Sequence, residues 1–567
     1  MCDRMQLLRW TVCLGLVFFG ACSTGNENVE EEPSNTTTTQ STRPNILLIV
    51  ADDLGYGDIG AFGSEIDTPE LDALARDGAR FTRFYTQVSC SPTRALLMTG
   101  VDNHLNGLGT MAEDLLPHHD GVPGYEGYLN DRVVTGAQLL KDAGYHTYLT
   151  GKWHLGLTPD KYPSQRGFER TYASLVGNVN HFNGRYIEDG KIINGDGYSS
   201  DLFTDKLIEA IESNHGDGRP FFGALLFTAP HWPLQAPPAL IEKYLNRYVD
   251  GWDVTRQGRF ERLKEMGLVP ADMGLPPRIE EVPDWSGLTD KERQIETKKM
   301  AIHAAMVDNL DTNVGRILDL LETLGESENT LVVFMSDNGT DPYDRSQRPM
   351  YVARRSELGL NTSFEDMGTD KSYVFYGLGW AQVGSVHHRH YKFLPSEGGM
   401  HAPMIARFPG VLTPGDDLDS FASVVDITPT FLDVANVEHP GTQYRDREIY
   451  PMRGRSLLPY MSDSLNVPYG DDDPVAFEIY GHKVVFMGPW KAVQLRQPWD
   501  ESVWRLYNLN LDPGEQQDLA HDEPEVLTRL IDAYESFAKE NGVVDEPADV
   551  PPFPYKPGHL GDLITEP

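Results

Sequence analysis

The 567-residue sequence predicts an α/β fold: a large, mostly parallel sheet sandwiched by helices, with a smaller α+β domain carrying an antiparallel sheet at the C-terminal end. Three observations predict it. Short, nearly continuous apolar runs (Asn45–Val50, Pro220–Ala229, Thr330–Met335) lack the alternation of a half-solvated strand and read as strands buried on both faces. Segments with helical apolar spacing stand between them, the alternation that gives a parallel sheet with crossover helices. After about Val437 the pattern changes to short strands and turns, including Val484–Met487 and Trp490–Leu495, followed by a helix from Glu523 to Asn541.

In chain order, Arg4 and Arg9 precede an apolar run from Trp10 to Phe19 that ends Gly20-Ala21-Cys22. The run is short for a membrane span and suits a signal peptide. Small residues before a cysteine resemble a bacterial lipobox, which implies cleavage before Cys22 and lipid on its sulfur; an ordinary signal peptide is the alternative. Ser23 favours outer-membrane sorting, so the expected location is the bacterial cell envelope, facing periplasm or cell surface. The polar stretch that follows has no apolar period and reads as a tether. The expected organisation is a lipoprotein signal peptide over 1–21, a disordered tether over 22–43, a catalytic domain over 44–440, and a C-terminal subdomain and tail over 441–567.

The first buried strand ends in Asp52-Asp53. A short helix from Glu70 to Arg76 follows, then Ala79–Tyr85, then a helix that begins at Cys90-Ser91-Pro92-Thr93-Arg94. Pro92 fits a first helical turn. Cys90 then sits at a helix N-terminus, where free N–H groups favour anions, with Arg94 one turn on. An anion held there suggests a sulfate or phosphate ester; a buried packing cysteine is the alternative. Further along, a helix over Val134–Ala143 leads to a strand over Thr147–Thr150, which runs into Lys152 and His154. A helix over Ser200–Ser213 precedes the run that ends at His231. A long helix over Glu292–Leu324 precedes the strand that ends in Asp337-Asn338. Two long inserts, Tyr244–Thr289 and Thr340–Gln382, are expected near the site entrance. His387–His390, Lys392, a strand over Pro403–Phe408 and a helix over Asp426–Ala435 complete the first domain.

The formal charge of −37 excludes nucleic acid as a partner bound by overall attraction. Four cysteines occur, three of them in the first 22 residues, so the folded body has one and forms no internal disulfide. Strand ends in an open α/β sheet converge on one edge. Asp52, Asp53, Asp337 and the Asn338 amide oxygen are hard ligands suited to Ca²⁺ or Mg²⁺. Lys152, His154, His231, Arg94 and Lys392 add positive charge and proton donors. Together they describe stabilisation of a transferring tetrahedral oxyanion beside a metal.

On these residues the chain resembles the type I sulfatases of the alkaline phosphatase superfamily, and the bacterial arylsulfatases among them. The likeness runs from Pro44 to about Leu519 and rests on Asn45–Gly57, Cys90–Gly100, Gly151–Gly156, Ala229–Pro237, Ser336–Gly339, Lys392–Pro403 and Trp504–Leu509. It implies an alkaline phosphatase-like sheet and hydrolysis of sulfate esters, aryl or carbohydrate. It implies that Cys90 is oxidised to formylglycine by a formylglycine-generating or sulfatase-maturating enzyme. One hydroxyl of the hydrate takes the sulfate in a covalent sulfo-enzyme intermediate, and the other expels it. It further implies one Ca²⁺ held by Asp52, Asp53, Asp337, Asn338 and modified Cys90. Arg94 steadies the formylglycine, Lys152 and Lys392 hold sulfate oxygens, His154 takes the proton of the second hydroxyl, and His231 serves the leaving group, with Lys392. Met400-His401 stands where the family has an apolar residue and Arg, and the histidine-rich segment His387–His390 reads as a partly exposed loop, with substrate contact beside Lys392 as the alternative. The alternatives are a phosphodiester or phosphonate monoester hydrolase on the same frame and a glycan-binding lipoprotein with a dead site.

Overall fold

The structure is a computed structural model that describes residues 43–547 and residue 550. The expected signal peptide and lipobox, the tether up to residue 42 and the end of the Pro-rich tail lie outside the described residues. Among the described residues, no helix is long and apolar enough to cross a membrane.

A ten-stranded mixed sheet forms the centre. Its order is Asp416–Leu418, Ala79–Phe81, Met404–Arg407, Thr330–Ser336, Asn45–Ala51, Phe221–Leu226, His146–Lys152, Arg170–Ser174, Arg185–Glu188, Lys191–Asn194. The five strands from Thr330–Ser336 to Arg170–Ser174 are mutually parallel. Every residue of Asn45–Ala51, Phe221–Leu226 and Thr330–Ser336 is buried, as strands covered by helices on both faces require. Helices cover the sheet on both sides, including the buried helix Cys90–Thr99 and the 34-residue helix Asp290–Thr323. The long helix starts with a capping box in which Thr289 and Glu292 satisfy each other's backbone N–H.

Register explains how the site assembles. Ala51 pairs with Ser336 and Gly151 with Leu226, so Asp52, Asp337 and Lys152 leave the sheet along one edge. Gly151 has φ +115°, and a Cβ there would meet the Leu226 carbonyl oxygen at 1.8 Å, so this close strand packing depends on glycine.

The C-terminal sheet has four antiparallel strands: Val475–Ile479, His482–Met487, Trp490–Gln494 and Trp504–Asn508. Its side chains divide with period two. Phe477, Val484, Phe486 and Val493 join the core beneath Cys90–Thr99, whereas Ala476, Val485, Ala492 and Leu506 pack on Leu530 and Tyr534 of the helix Pro524–Asn541. Polar clamps fix this junction. His104 donates from Nδ1 to Asp102 (2.8 Å) and from Nε2 to Glu478 (2.7 Å) on the first C-terminal strand. Buried Lys491 lies 2.8 Å from both Glu397 and Glu515.

The strands Arg170–Ser174, Arg185–Glu188 and Lys191–Asn194 were not expected, because they are short and partly exposed and carry no continuous apolar run. The insert Tyr244–Thr289 does not stand at the site entrance. It contains the helix Gly251–Glu265, whose buried Arg259 lies 2.5 Å from Asp58 and 2.9 Å from Glu65. Asp58 also accepts the Gly55 N–H. The insert therefore braces the turn behind Asp52-Asp53 rather than the cavity.

Candidate active site

The expected residues from six separate segments meet at one sheet edge. Cys90 opens its helix behind Ser89, which is in extended conformation, and the helix stops at Gly100 in the left-handed region. Cys90 Sγ lies 3.4 Å from Asp52 Oδ1, 3.8 Å from Asp53 Oδ1 and 3.1 Å from Lys392 Nζ. Lys152 Nζ donates to Asp52 Oδ2 (2.6 Å) and Lys392 Nζ to Asp53 Oδ1 (2.5 Å). Arg94 donates from Nε and Nη2 to Asp337 Oδ2 at 2.9 and 2.8 Å, and from Nη1 to the Lys152 carbonyl. The Asn338 amide nitrogen donates to Asp53 Oδ1 at 2.7 Å. His231 Nε2 stands 3.5 Å from Asp53 Oδ2, and its Nδ1 donates to the Trp232 carbonyl at 2.7 Å. His154 Nε2 lies 2.7 Å from Glu113 Oε1.

Burial raises the cost of every charge here, and the charges answer one another. Burial, the largest single influence, would raise the Asp52 carboxyl, but Lys152, His231 and Arg94 together outweigh it and hold the group below the usual carboxylate range. Burial works against the Lys152 and Lys392 ammonium groups, and Asp52 and Asp53 keep both charged. Burial pushes the Cys90 thiol well above its ordinary value, which leaves an unmodified Cys90 a poor nucleophile. Burial likewise pushes His231 down to about 3.

Two acceptors break the pattern of pairing. Asp53 Oδ2 and the Asn338 amide oxygen are buried and have no hydrogen-bond partner. Unpaired buried acceptors are costly, and here they face a cluster of carboxylates. Atoms of Asp52, Asp53, Cys90 and His231 also lie within 4.8 Å of one another. Oxygen-rich, net negative and short of donors, this donor set fits a hard divalent cation.

Above this floor opens a cavity of about 1170 Å³ whose lining includes Cys90, Lys152, His154, His231 and Lys392. Its walls hold residues that the sequence did not single out: Glu113, Asp114, Trp232, Asp341, Arg345 and Tyr480. Arg345 lies 2.7 Å from Asp341 and sits over the Trp232 and Phe393 rings. The insert that follows Asn338 does line the cavity, through residues such as Arg345, Tyr351 and Tyr373. The histidine-rich segment does not meet its expectation. His387 and His388 are buried behind the site, with His388 against Tyr56 and stacked on His401, and His390 bonds Ser396. His401, in the place of the family's Arg, is held by Glu397 and the Thr82 carbonyl.

Known proteins bear on this geometry. The family described as Sulfatase matches residues 44–437, and that described as N-sulphoglucosamine sulphohydrolase, C-terminal, matches residues 387–531. The chain is 39% identical over 536 residues to an uncharacterised sulfatase of Schizosaccharomyces pombe, across 90% of this chain and 96% of that one. It is 35% identical over 438 residues to an arylsulfatase of Klebsiella aerogenes, across 74% of this chain and 92% of that one. In fold it is similar to the crystal structure of Ps i-CgsB in complex with k-i-k-neocarrahexaose, with a TM-score of 0.64, 24% identity, and 88% and 93% of the two chains covered. The first match takes in the whole parallel sheet and every strand end that feeds the cavity, and on that ground the chain belongs to the sulfatase family, the hydrolases of sulfuric esters.

Proposed function

We propose that the chain removes sulfate from carbohydrate sulfate esters, takes aryl sulfates as small surrogates, and does so with Cys90 converted to formylglycine beside one Ca²⁺. The observation that carries this reading is the placement of Cys90 at the cavity floor, between two lysines and the oxygen cluster of Asp52, Asp53, Asp337 and Asn338. Formylglycine hydrate would supply the nucleophile that takes the sulfate, and Ca²⁺ on those oxygens would draw charge from the sulfate oxygens. The two orphaned acceptors, Asp53 Oδ2 and Asn338 Oδ1, favour such an ion.

The side chains divide the remaining work. Lys152 and Lys392, each held charged by an aspartate, turn their other N–H groups toward the sulfate oxygens and offset the charge that develops there. Arg94 ties Asp337 to the Lys152 backbone, which fixes the oxygen cluster and the start of the helix together. His231, with its Nδ1 proton held on the Trp232 carbonyl, places the Nε2 lone pair at the leaving-group side, where it orients the ester, and the charged Lys392 beside it is the group with a proton to give the leaving oxygen. His154 takes the proton that must leave when sulfate is released.

Carbohydrate is favoured by the cavity. About 1170 Å³ exceeds what a single aryl sulfate fills and is larger than the common range for small-molecule pockets, roughly 300–1,000 Å³. Its lining includes Trp232 and Tyr373, with Arg345 over the Trp232 ring. The protein of known structure that was crystallised with a carrahexaose has the same fold. The reading takes in two expected partners: a maturation enzyme that acts on Cys90, and the bacterial outer membrane, through a lipid on Cys22.

The test is release of inorganic sulfate from sulfated mono-, oligo- and polysaccharides beside an aryl sulfate and a paired phosphodiester. The expected result is kcat/KM higher on a sulfated saccharide than on the aryl ester. Dominant turnover of the phosphodiester would overturn the reading in favour of a phosphodiester or phosphonate monoester hydrolase. Absence of turnover on every substrate by protein with modified Cys90 would favour a dead glycan-binding site.

A further inference from the structure

His154 is held in a way that the sheet edge alone does not account for. The residue is 8% exposed and has φ +55°, a left-handed conformation unusual for a residue with a side chain. Its ring lies against Gly177, where a Cβ would come within 2.8 Å of the His154 Cε1, so the loop keeps a slot open for the imidazole. Its Nε2 points at Glu113 Oε1, 2.7 Å away. Glu113 belongs to the one-turn helix Ala112–Asp114 on the cavity wall. His154 Nδ1 is buried and has no hydrogen-bond partner.

These contacts settle the tautomer. A carboxylate is acceptor-only, so the His154 proton resides on Nε2, and the lone pair is on Nδ1. That is the arrangement of a general base oriented by a carboxylate. Glu113 remains ionised: burial works against its charge, and the contact with His154, a backbone N–H and the charge of Lys152 together hold the carboxyl down at about 2.

We infer that Glu113 is a positioning residue for the reaction: it keeps His154 in the tautomer whose Nδ1 accepts a proton, and it stabilises the imidazolium that results. The inference rests on the assignment of His154 as the base of sulfate release. In that step the O–H proton of the free hydroxyl on the hydrated side chain at position 90 would move to Nδ1 while its oxygen forms the aldehyde C=O, and the bond from that carbon to the sulfate oxygen would break, so that sulfate leaves with that oxygen. His154 then carries a proton on both nitrogens, and the new charge lies beside the Glu113 carboxylate. In a partly desolvated wall this pairing is worth more than a surface ion pair, and it acts on the transition state rather than on substrate binding.

The experiment compares Glu113→Gln, Glu113→Asp, His154→Ala and the Glu113→Gln/His154→Ala double variant in calcium-loaded, formylglycine-bearing full-length protein. Glu113 is half exposed, so thermal unfolding should be little changed by its substitution and serves as the control. Glu113→Gln should lower kcat by about 10- to 100-fold with KM nearly constant. Glu113→Asp should recover part of that loss. In the double variant the Glu113 change should add almost nothing to His154→Ala, because the two side chains act as one unit. Three outcomes overturn the inference: Glu113→Gln kcat within about twofold of the parent while His154→Ala is impaired, losses that multiply in the double variant, or a rise in KM alone. Full activity of His154→Ala is a different failure and removes the assignment of His154 as the base.

Discussion

Two buried charge clusters stand at opposite ends of the helix Cys90–Thr99, and they are built on opposite terms. At the junction with the C-terminal sheet, both His104 nitrogens are bonded to carboxylates, and Asp102 is paired with Arg453 as well. At the cavity floor, three aspartates, two lysines and an arginine crowd together, yet Asp53 Oδ2 and Asn338 Oδ1 are left without donors. Complete pairing marks a cluster whose work is to hold the fold. Acceptors left over inside an otherwise satisfied cluster mark a place kept for something else.

The largest test of this contrast lies at Cys90. Cys90→Ala should lower turnover by roughly 10⁴-fold or more and leave the fold intact. Mass spectrometry of the active parent should find the aldehyde in the peptide that carries residue 90, and an unmodified thiol in fully active protein would remove the proposed nucleophile. Next in size is removal of the metal. Chelation should abolish sulfate release and Ca²⁺ should restore it. Stability should rise on adding Ca²⁺ back by about 2.7 kcal/mol at a hundred times Kd, and an unchanged unfolding midpoint would mean that the orphaned oxygens hold no ion. The paired cluster should behave the other way round. His104→Gln should leave kcat unchanged and cost about 3–5 kcal/mol, read from urea unfolding, because it strips buried carboxylates of their partner. A loss of turnover with unchanged stability would reverse the assignments of the two clusters.

The last effect is one of pH, and it leaves turnover untouched. Burial works against a charge on His104, and the bonds to Asp102 and Glu478 outweigh it, so that the group is pushed up to about 9. A raised histidine contributes its stability in full below its unfolded value, near 6.5, and loses it as pH rises through 9. The whole change corresponds to about 3 kcal/mol. His104→Gln should flatten that loss between pH 7 and pH 10.

The contrast also sorts what could be read in the sequence. Asp52-Asp53, Lys152, His231 and Asp337-Asn338 each follow a buried strand, and strand ends in a parallel sheet share an edge, so their meeting was legible. The Cys90 helix was legible from Pro92 and from the anion-favouring start. Glu113 was not, because it lies in a one-turn helix between loops and reaches His154 across 41 positions of chain with no periodic signal. The role of Tyr244–Thr289 was missed because its polar composition conceals Arg259, a buried cation that serves Asp58 and not solvent. His387 and His388 read as a polar loop, yet aromatic packing against Tyr56 and His401 places them inside. Histidine carries enough ring surface to be buried as an aromatic, and a count of polar residues cannot register that.

All ten residues of Cys90–Thr99 are buried, Cys90 itself to 2% exposure. If Cys90 is converted as proposed, a second enzyme would have to reach the peptide around it, and in the folded chain that peptide is closed off by the packed helix. The order of events is therefore constrained as well as the chemistry. On the proposed reading, conversion of Cys90 would have to happen while this stretch is still unfolded, and a chain that folded first would keep its thiol. Specific activity in any preparation then becomes a record of a race between folding and modification, and slower expression should raise it without a change in sequence.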